Sequence, residues 1–273
     1  MGHLNTARLA GAGDGIVKLG TEIIPGTTTG NNCHVHPGAV VGGTPQDLKY
    51  HGEPSELIIG DHNVFREHCT VHIGTETGGM VTRVGNGNLF MAGVHIAHDC
   101  TIGNGVIMAN LATLGGHVAI EDGARISGLV GIHQFVRVGR YAFIQGLATV
   151  VQDVPPFMIA SGVPARIRAL NIEGLKRRDT PRETINALKE VFRLIYRSDL
   201  NRSQAVREIQ QSGSTRIVEV DVVVQFLLNS QQGHLGRTQD RRRAPVVRPP
   251  SGGASPPPIP GDEGEDLDAK ASD

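Results

Sequence analysis

The stretch that decides the fold runs from Val84 to Val150: VGNGNLFMAGVHIAHDCTIGNGVIMANLATLGGHVAIEDGARISGLVGIHQFVRVGRYAFIQGLATV. Stepping by six from Val84 gives Phe90, Ile96, Ile102, Met108, Leu114, Ile120, Ile126, Ile132, Val138, Ile144 and Val150, all large and apolar. With 39% apolar residues in the chain, such a run arises by chance about once in 10⁵ sequences before the choice of phase is allowed for. The position after each anchor is often small or turn-forming (Gly85, Ala97, Gly103, Ala109, Gly115, Ser127, Gly139). Four residues after the anchors come Val94, Cys100, Val106, Ala112, Val118, Ala124, Val130, Val136, Ala142 and Ala148. A period of six is neither that of a helix nor that of a single long strand. It describes short strands joined by tight turns, three flats closing one eighteen-residue coil. Stacked coils lie about 4.8 Å apart, the ordinary strand spacing. The anchors fill the prism, and the small residues sit at corners where a Cβ would crowd the turn. The expected architecture is mainly β, a left-handed parallel β-helix of hexapeptide repeats, an exception to right-handed crossovers.

Working outward, the phase is echoed at Val35 and Val41 and at Ile59, Phe65 and Val71. Two interruptions, near 43–57 and 74–83, break and then restore it. Insertions in a solenoid protrude from one side, often the functional one, although a harmless bulge reads the same way. Beyond Asp153-Val154-Pro155-Pro156 the pattern turns helical. Thr180-Pro181-Arg182-Glu183 predicts a capping box with Pro at the first helical position. Ile185, Leu188, Phe192 and Ile195 follow at helical spacing, and further helices are expected over about 201–212 and 216–230. The expected organisation is a disordered start over 1–14, a β-helix over 15–165, a C-terminal α-helical domain over 166–232, and a Pro-rich disordered tail over 233–273.

Composition narrows the function. Of 273 residues, 36 are Gly and none is Trp, so the core must be built from aliphatic side chains. With 26 Lys+Arg against 27 Asp+Glu, the chain lacks the basic excess of a nucleic-acid binder. The balance is uneven, because Ala165 to Glu208 holds eleven Lys/Arg and six Asp/Glu, a local +5 that favours an acidic partner. Three cysteines (Cys33, Cys69, Cys100) show no metal spacing and point to a reducing compartment. No apolar run is long enough for a membrane span, and no signal peptide is evident, so a cytoplasmic protein without stable membrane insertion is expected. The loose myristoylation pattern of Met1-Gly2 and Thr6 is read as chance.

His95-Ile96-Ala97-His98-Asp99-Cys100 is the first chemical candidate. Ile96 points inward, so His98 and Asp99 fall near a coil corner. An imidazole can serve as general base near neutral pH, and a neighbouring carboxylate can fix its tautomer. Gly115-Gly116-His117 follows one coil later, where backbone N–H groups could meet an oxyanion, and His133-Gln134 one coil after that. Stacked histidines could bind substrate, bind a metal if three reach ligand distance, or merely decorate the surface.

These segments, together with Gln46-Asp47-Leu48-Lys49-Tyr50, His133-Gln134-Phe135, Gln152-Asp153-Val154-Pro155-Pro156 and Asn171-Ile172-Glu173-Gly174-Leu175-Lys176-Arg177-Arg178, resemble the UDP-N-acetylglucosamine O-acyltransferases of lipid A biosynthesis. The resemblance runs from about Gly30 to Leu228. It implies transfer of a (R)-3-hydroxyacyl chain from acyl carrier protein to the 3-hydroxyl of UDP-N-acetylglucosamine, the first step of that pathway. By the same resemblance His98 is the general base, Asp99 orients it, and the Gly116 N–H holds the oxyanion. Asp47, His95, His117, Gln134, Asn171, Glu173, Arg177 and Arg178 match substrate-contacting positions. Lys49, His72 and His133 match further active-site positions, and Gly146 matches the position that limits acyl length. The family works as a homotrimer with sites between subunits, and without cofactor or metal. Two features depart from it: the first coils of its β-helix are missing here, and the Pro-rich tail is additional.

Three alternatives stay open at the sequence level. A gamma-type carbonic anhydrase-like metal hydrolyase would hold Zn²⁺ on three histidines. A non-catalytic hexapeptide scaffold would not bind the nucleotide sugar. The related N-acyltransferase of the pathway usually carries an extra N-terminal domain.

Overall fold

The computed structural model describes residues 16–17 and 20–242. The expected disordered stretch 1–14 and the tail beyond Arg242 lie outside the described residues. Among the described residues, short strands form three sheets of nine, seven and six strands, the walls of a three-sided prism, all parallel except the last strand of the nine-stranded sheet. Successive coils pair in an eighteen-residue register: Phe90 with Met108, Ile96 with Leu114, Ile102 with Ile120. All twelve anchors from Val84 to Val150 are buried, and so are the residues four positions after them. Each buried aliphatic anchor contributes about 1.5–3 kcal/mol, so the periodic pattern is itself the source of the prism. Phe65 and Phe90 stack inside it with ring centroids 5.0 Å apart. Cys33, Cys69 and Cys100 are free and buried among the aliphatics, and burial pushes the Cys100 thiol up to about 12.

The small residues after the anchors owe their identity to the neighbouring coil more than to their own turn. A Cβ on Gly85 would lie 2.6 Å from the Gly103 carbonyl oxygen, and one on Gly115 would lie 2.8 Å from the Gln134 nitrogen. Left-handed backbone falls instead three residues after the anchors, at Gly87, Gly93, Gly105 and Gly123 but also at Asp99, Leu111, His117, Leu129, Phe135, Tyr141 and Leu147. These non-glycine residues accept a costly conformation because the neighbouring coil holds their N–H groups: Asp99 by the Thr82 side chain, the others by backbone carbonyls, as His117 N–H to the His98 carbonyl (3.0 Å) and Phe135 N–H to the Gly116 carbonyl (3.1 Å) show. The small residues after the anchors thus mark close coil-to-coil approach, and the left-handed turn falls two residues later.

Both interruptions leave the prism at one corner. The first separates the second-sheet strand Val40–Gly43 from the third-sheet strand Glu56–Ile59, and the second separates Thr70–His72 from Val81–Val84. The Glu53 Oε1 atom accepts the Glu76 N–H (3.1 Å), tying one loop to the other. The coils above continue the same corner with Ala97–Cys100, Gly115–Val118 and His133–Val136.

The prism ends in a hairpin rather than a helix. Met158–Ser161 extends the first sheet and pairs antiparallel with Arg166–Leu170. Among the described residues four α-helices follow: α1 (Ile172–Lys176), α2 (Arg182–Tyr196), α3 (Arg202–Gln211) and α4 (Val218–Gln232). They share a second apolar core that includes Leu188, Ile209, Val223 and Phe226. The expected capping box at Thr180 does not form, since α2 begins after Pro181 with no side-chain cap. Its buried stripe is Ile185, Leu188, Val191 and Leu194, with Phe192 and Ile195 only partly covered. The capping box occurs at α3, where Asn201 and Gln204 bond reciprocally. Residues 233–242, read from sequence as the start of the tail, turn at Gly233 and fold back. There the Arg237 N–H reaches the Asp153 carboxylate (2.9 Å) and Asp240 accepts from Gln134 (3.2 Å). Among the described residues, no helix is long and apolar enough to cross a membrane.

Candidate active site

The sequence puts Asp99 three residues after an inward anchor, and that position fixes its geometry. The left-handed turn (φ 59°) aims the carboxylate back along the corner instead of into solvent. Asp99 Oδ2 lies 2.7 Å from His98 Nδ1 and 3.7 Å from His117 Nε2. The carboxylate is wholly enclosed, and the His98 side chain is 14% exposed. Thr75, in the second loop, donates to Asp99 twice: its N–H to Oδ1 (2.8 Å) and its hydroxyl to Oδ2 (2.6 Å). The Asp99 N–H donates to Thr82 Oγ1 (2.8 Å). Burial alone would raise the Asp99 carboxyl pKa, but bonds from His98 and Thr75 together outweigh it and hold the group below the ordinary carboxylate range. An ionised Asp99 only accepts, so the His98 proton resides on Nδ1 and its Nε2 carries the lone pair.

The next coil leaves that Nε2 accessible. A Cβ on Gly116 would lie 2.5 Å from His98 Cε1 and 2.6 Å from Nε2. Among the described residues, the Gly116 N–H makes no backbone hydrogen bond, while its neighbours Gly115 and His117 donate to Ile132 and His98. His117 sits edge-on to His98 (5.2 Å) and stacks flat on Phe135 (4.3 Å, 4°). A groove runs here between Gly78, Asp99, His117 and Phe135 on one side and Leu235 and Gln239 on the other.

In the coil of His98, His95 Nδ1 meets Thr70 Oγ1 of the coil below (2.7 Å), and His72 of that lower coil packs edge-on against His95 (4.8 Å). Burial, then the neighbouring His95 and His98, pushes His72 down to about 4. Burial and His98 likewise lower His95. Both rings are therefore neutral at physiological pH, suited to hydrogen bonding rather than charge.

The other sequence candidates divide. His133 and Gln134 continue the corner and are exposed. Asp47 and Lys49 occupy the tip of the first loop, where the Lys49 N–H donates to Asp47 Oδ1 (3.0 Å) beside a fully exposed Leu48. Among the described residues, no hydrogen bond links that tip to His98 or Asp99. Asn171, Glu173, Arg177 and Arg178 gather elsewhere. Asn171 caps α1 by accepting the Gly174 N–H (3.0 Å) and donates to the Tyr141 carbonyl (3.0 Å). The Arg178 guanidinium lies 3.4 Å over the Tyr141 ring. With Arg125 they line a pocket at the corner between the third and first sheets, so within one chain the basic cluster and the His98 cluster occupy different corners. Gly146 is exposed, and a Cβ there would make only ordinary contacts, at 3.4 Å to the Gly128 oxygen.

Sequence reasoning missed Thr75, Thr82, Gly78 and the stacking partner Phe135. The available signal was positional: the second interruption precedes the His98 coil at the same corner. Among the described residues, His98, Asp99 and His117 present ligand-type atoms within 4.8 Å of one another. The three-histidine set expected for a zinc hydrolyase differs from this, because Asp99 takes one place and already accepts the hydrogen bond from His98 Nδ1.

Two family models match the chain. The hexapeptide repeat of bacterial transferases covers residues 82–116, and the second domain of UDP-N-acetylglucosamine O-acyltransferases covers 153–235. Among curated proteins, an acyl-[acyl-carrier-protein]–UDP-N-acetylglucosamine O-acyltransferase from Anaeromyxobacter sp. is 45% identical over 76% of this chain and 80% of its own length. The enzyme of that description from Synechocystis sp. is 48% identical over 71% and 70%. Among solved structures, the UDP-N-acetylglucosamine acyltransferase of Bacteroides fragilis superimposes with a TM-score of 0.74 at 41% identity, covering 77% of this chain and 82% of that one. The Campylobacter jejuni enzyme gives 0.75 at 35%, covering 80% and 83%. With its left-handed β-helix, its helical domain and these relatives, the chain belongs to the UDP-N-acetylglucosamine O-acyltransferase family.

Proposed function

We propose that this acyltransferase moves a (R)-3-hydroxyacyl chain from the thioester of acyl carrier protein to the 3-hydroxyl of UDP-N-acetylglucosamine, opening lipid A biosynthesis. The single observation that carries the residue assignment is the buried Asp99 carboxylate on His98 Nδ1. In this reading His98 Nε2 takes the sugar hydroxyl proton as the oxygen attacks the thioester carbonyl. The Gly116 N–H donates to the resulting oxyanion. Collapse breaks the carbon–sulfur bond, and His98 returns its proton to the departing thiolate. Asp99 stabilises the transient imidazolium, and no cofactor is needed.

Asp47, Lys49, His72, His95, His117, His133 and Gln134 are assigned to substrate binding on the His98 corner. Asn171, Glu173, Arg177 and Arg178 are assigned to the same task from the other corner, where the guanidinium groups suit a diphosphate or an acidic carrier. The separation of the two clusters supports a homotrimer in which one chain's His98 corner meets another chain's basic cluster. The cytoplasm, where nucleotide sugars and carrier-bound acyl chains are made, is the compartment this reading assigns. The test is an acyl-transfer assay with UDP-N-acetylglucosamine and 3-hydroxyacyl carrier proteins of several lengths, read by product mass. A mono-O-acylated nucleotide sugar is expected, and its absence with every donor would overturn the proposal.

A further inference from the structure

The loop between His72 and Val81 interrupts the repeat at the coil just below Asp99, and nothing in the repeat requires it. Two of its residues, Thr75 and Gly78, meet the Asp99 carboxylate. Thr75 binds both oxygens of Asp99, through its N–H (2.8 Å) and its hydroxyl (2.6 Å). Since an ionised carboxylate only accepts, the Thr75 hydroxyl must donate to it. The Thr75 oxygen, 3.2 Å from Thr77 Oγ1, can then accept the Thr77 proton. Gly78 presses against the same group so closely that a Cβ would lie 1.9 Å from Asp99 Cγ. Gly74 is equally constrained, since its Cβ would meet the Val81 nitrogen at 2.1 Å. Thr75 itself is buried.

We propose that Thr75 is a positioning residue for the transfer reaction, the loop-borne clamp that fixes the Asp99 carboxylate so that His98 keeps its proton on Nδ1 and its lone pair on Nε2. This rests on the reading of His98 as base. The physical argument has two parts. An enclosed carboxylate is costly unless its lone pairs are met, and Thr75 meets one on each oxygen. With both oxygens tied, the carboxylate cannot turn about its Cβ–Cγ bond, so the bond to His98 holds one direction while the proton shuttles. Thr75 touches no reacting atom and acts only through Asp99.

The test uses the full chain with Thr75→Val, Thr75→Ser, Asp99→Asn and the Thr75→Val/Asp99→Asn double variant, each checked by melting temperature. Thr75→Val removes the hydroxyl at similar volume, and its kcat should fall about 10²-fold, the scale of a small misplacement at a reacting centre. KM for UDP-N-acetylglucosamine should stay near wild type, and Thr75→Ser should recover most of the rate. In the Asp99→Asn background Thr75→Val should cost nothing further, because two residues that act as one unit do not add. Wild-type kcat in Thr75→Val, or a full additional loss in the double variant, overturns the proposal. Should Thr75→Val not fold, Thr75→Ser decides: near wild-type kcat supports the clamp, and a large loss in a folded protein overturns it. His98→Ala assayed alongside separates the two readings. Activity there sinks the base itself, whereas an inactive His98→Ala with an unaffected Thr75→Val sinks only the clamp.

Discussion

Asp99 holds His98 from a position that should favour glycine: its backbone is left-handed at φ 59°, and its Oδ2 lies 2.7 Å from His98 Nδ1. The strained turn is what directs the carboxylate along the corner, beneath the imidazole and away from water. One coil on, Gly116 supplies the space for that ring. Gly116→Ala keeps an ordinary backbone conformation but drives a methyl to 2.5 Å from His98 Cε1. The ring must swing aside, so kcat should drop about 10²-fold while the melting temperature stays near wild type. Steady-state kinetics with both substrates saturating check this.

The neutral histidines predict an acid-sensitive fold. His72, held near 4 by burial and then by His95 and His98, would titrate near 6.5 in the unfolded chain. Between those values the unfolded chain binds a proton that the native chain refuses. Stability from this group is therefore complete above about pH 6.5 and is lost as pH falls toward about 4. His72→Asn should flatten the melting temperature over this window relative to wild type, and a pH series of thermal melts shows whether it does.

The fold and the candidate site are legible in the sequence to different degrees. The anchors from Val84 to Val150 specify the prism because burying an aliphatic side chain every sixth residue is local and periodic. The His98 pair and Gly116 were legible because they sit at fixed offsets from Ile96 and Leu114. Thr75 was not, because its partner Asp99 is twenty-four residues away and the intervening loop has no period. The left-handed Leu111, His117 and Phe135 were hidden because coil-to-coil bonds override their intrinsic preference. The Met158–Leu170 hairpin was missed because its strands pair with each other and with one prior coil, outside the six-residue phase.

The acyl-length assignment is testable at Gly146, where exposure leaves room for a larger side chain. Gly146→Met should shift the preferred donor to shorter 3-hydroxyacyl chains without lowering the melting temperature. Competition between donors of different length, read by product mass, measures the shift. Unchanged preference would contradict a role for Gly146 in limiting acyl length.

The two-corner arrangement predicts complementation between chains. His98→Ala and Arg178→Ala should each be inactive alone. When they are co-expressed and assemble together, some sites would combine an intact His98 with an intact Arg178 from another chain. Activity should then reappear in the mixed preparation, whereas sites built within single chains would stay silent.

The central claim is that His98 is the general base, and the most direct measurement is kcat of His98→Ala at saturating donor and acceptor, with its melting temperature recorded on the same preparation. Loss of a positioned base typically removes about 10²–10⁴-fold of rate, so a folded His98→Ala protein should fall by at least that lower figure. A folded variant that retains wild-type turnover would contradict the account.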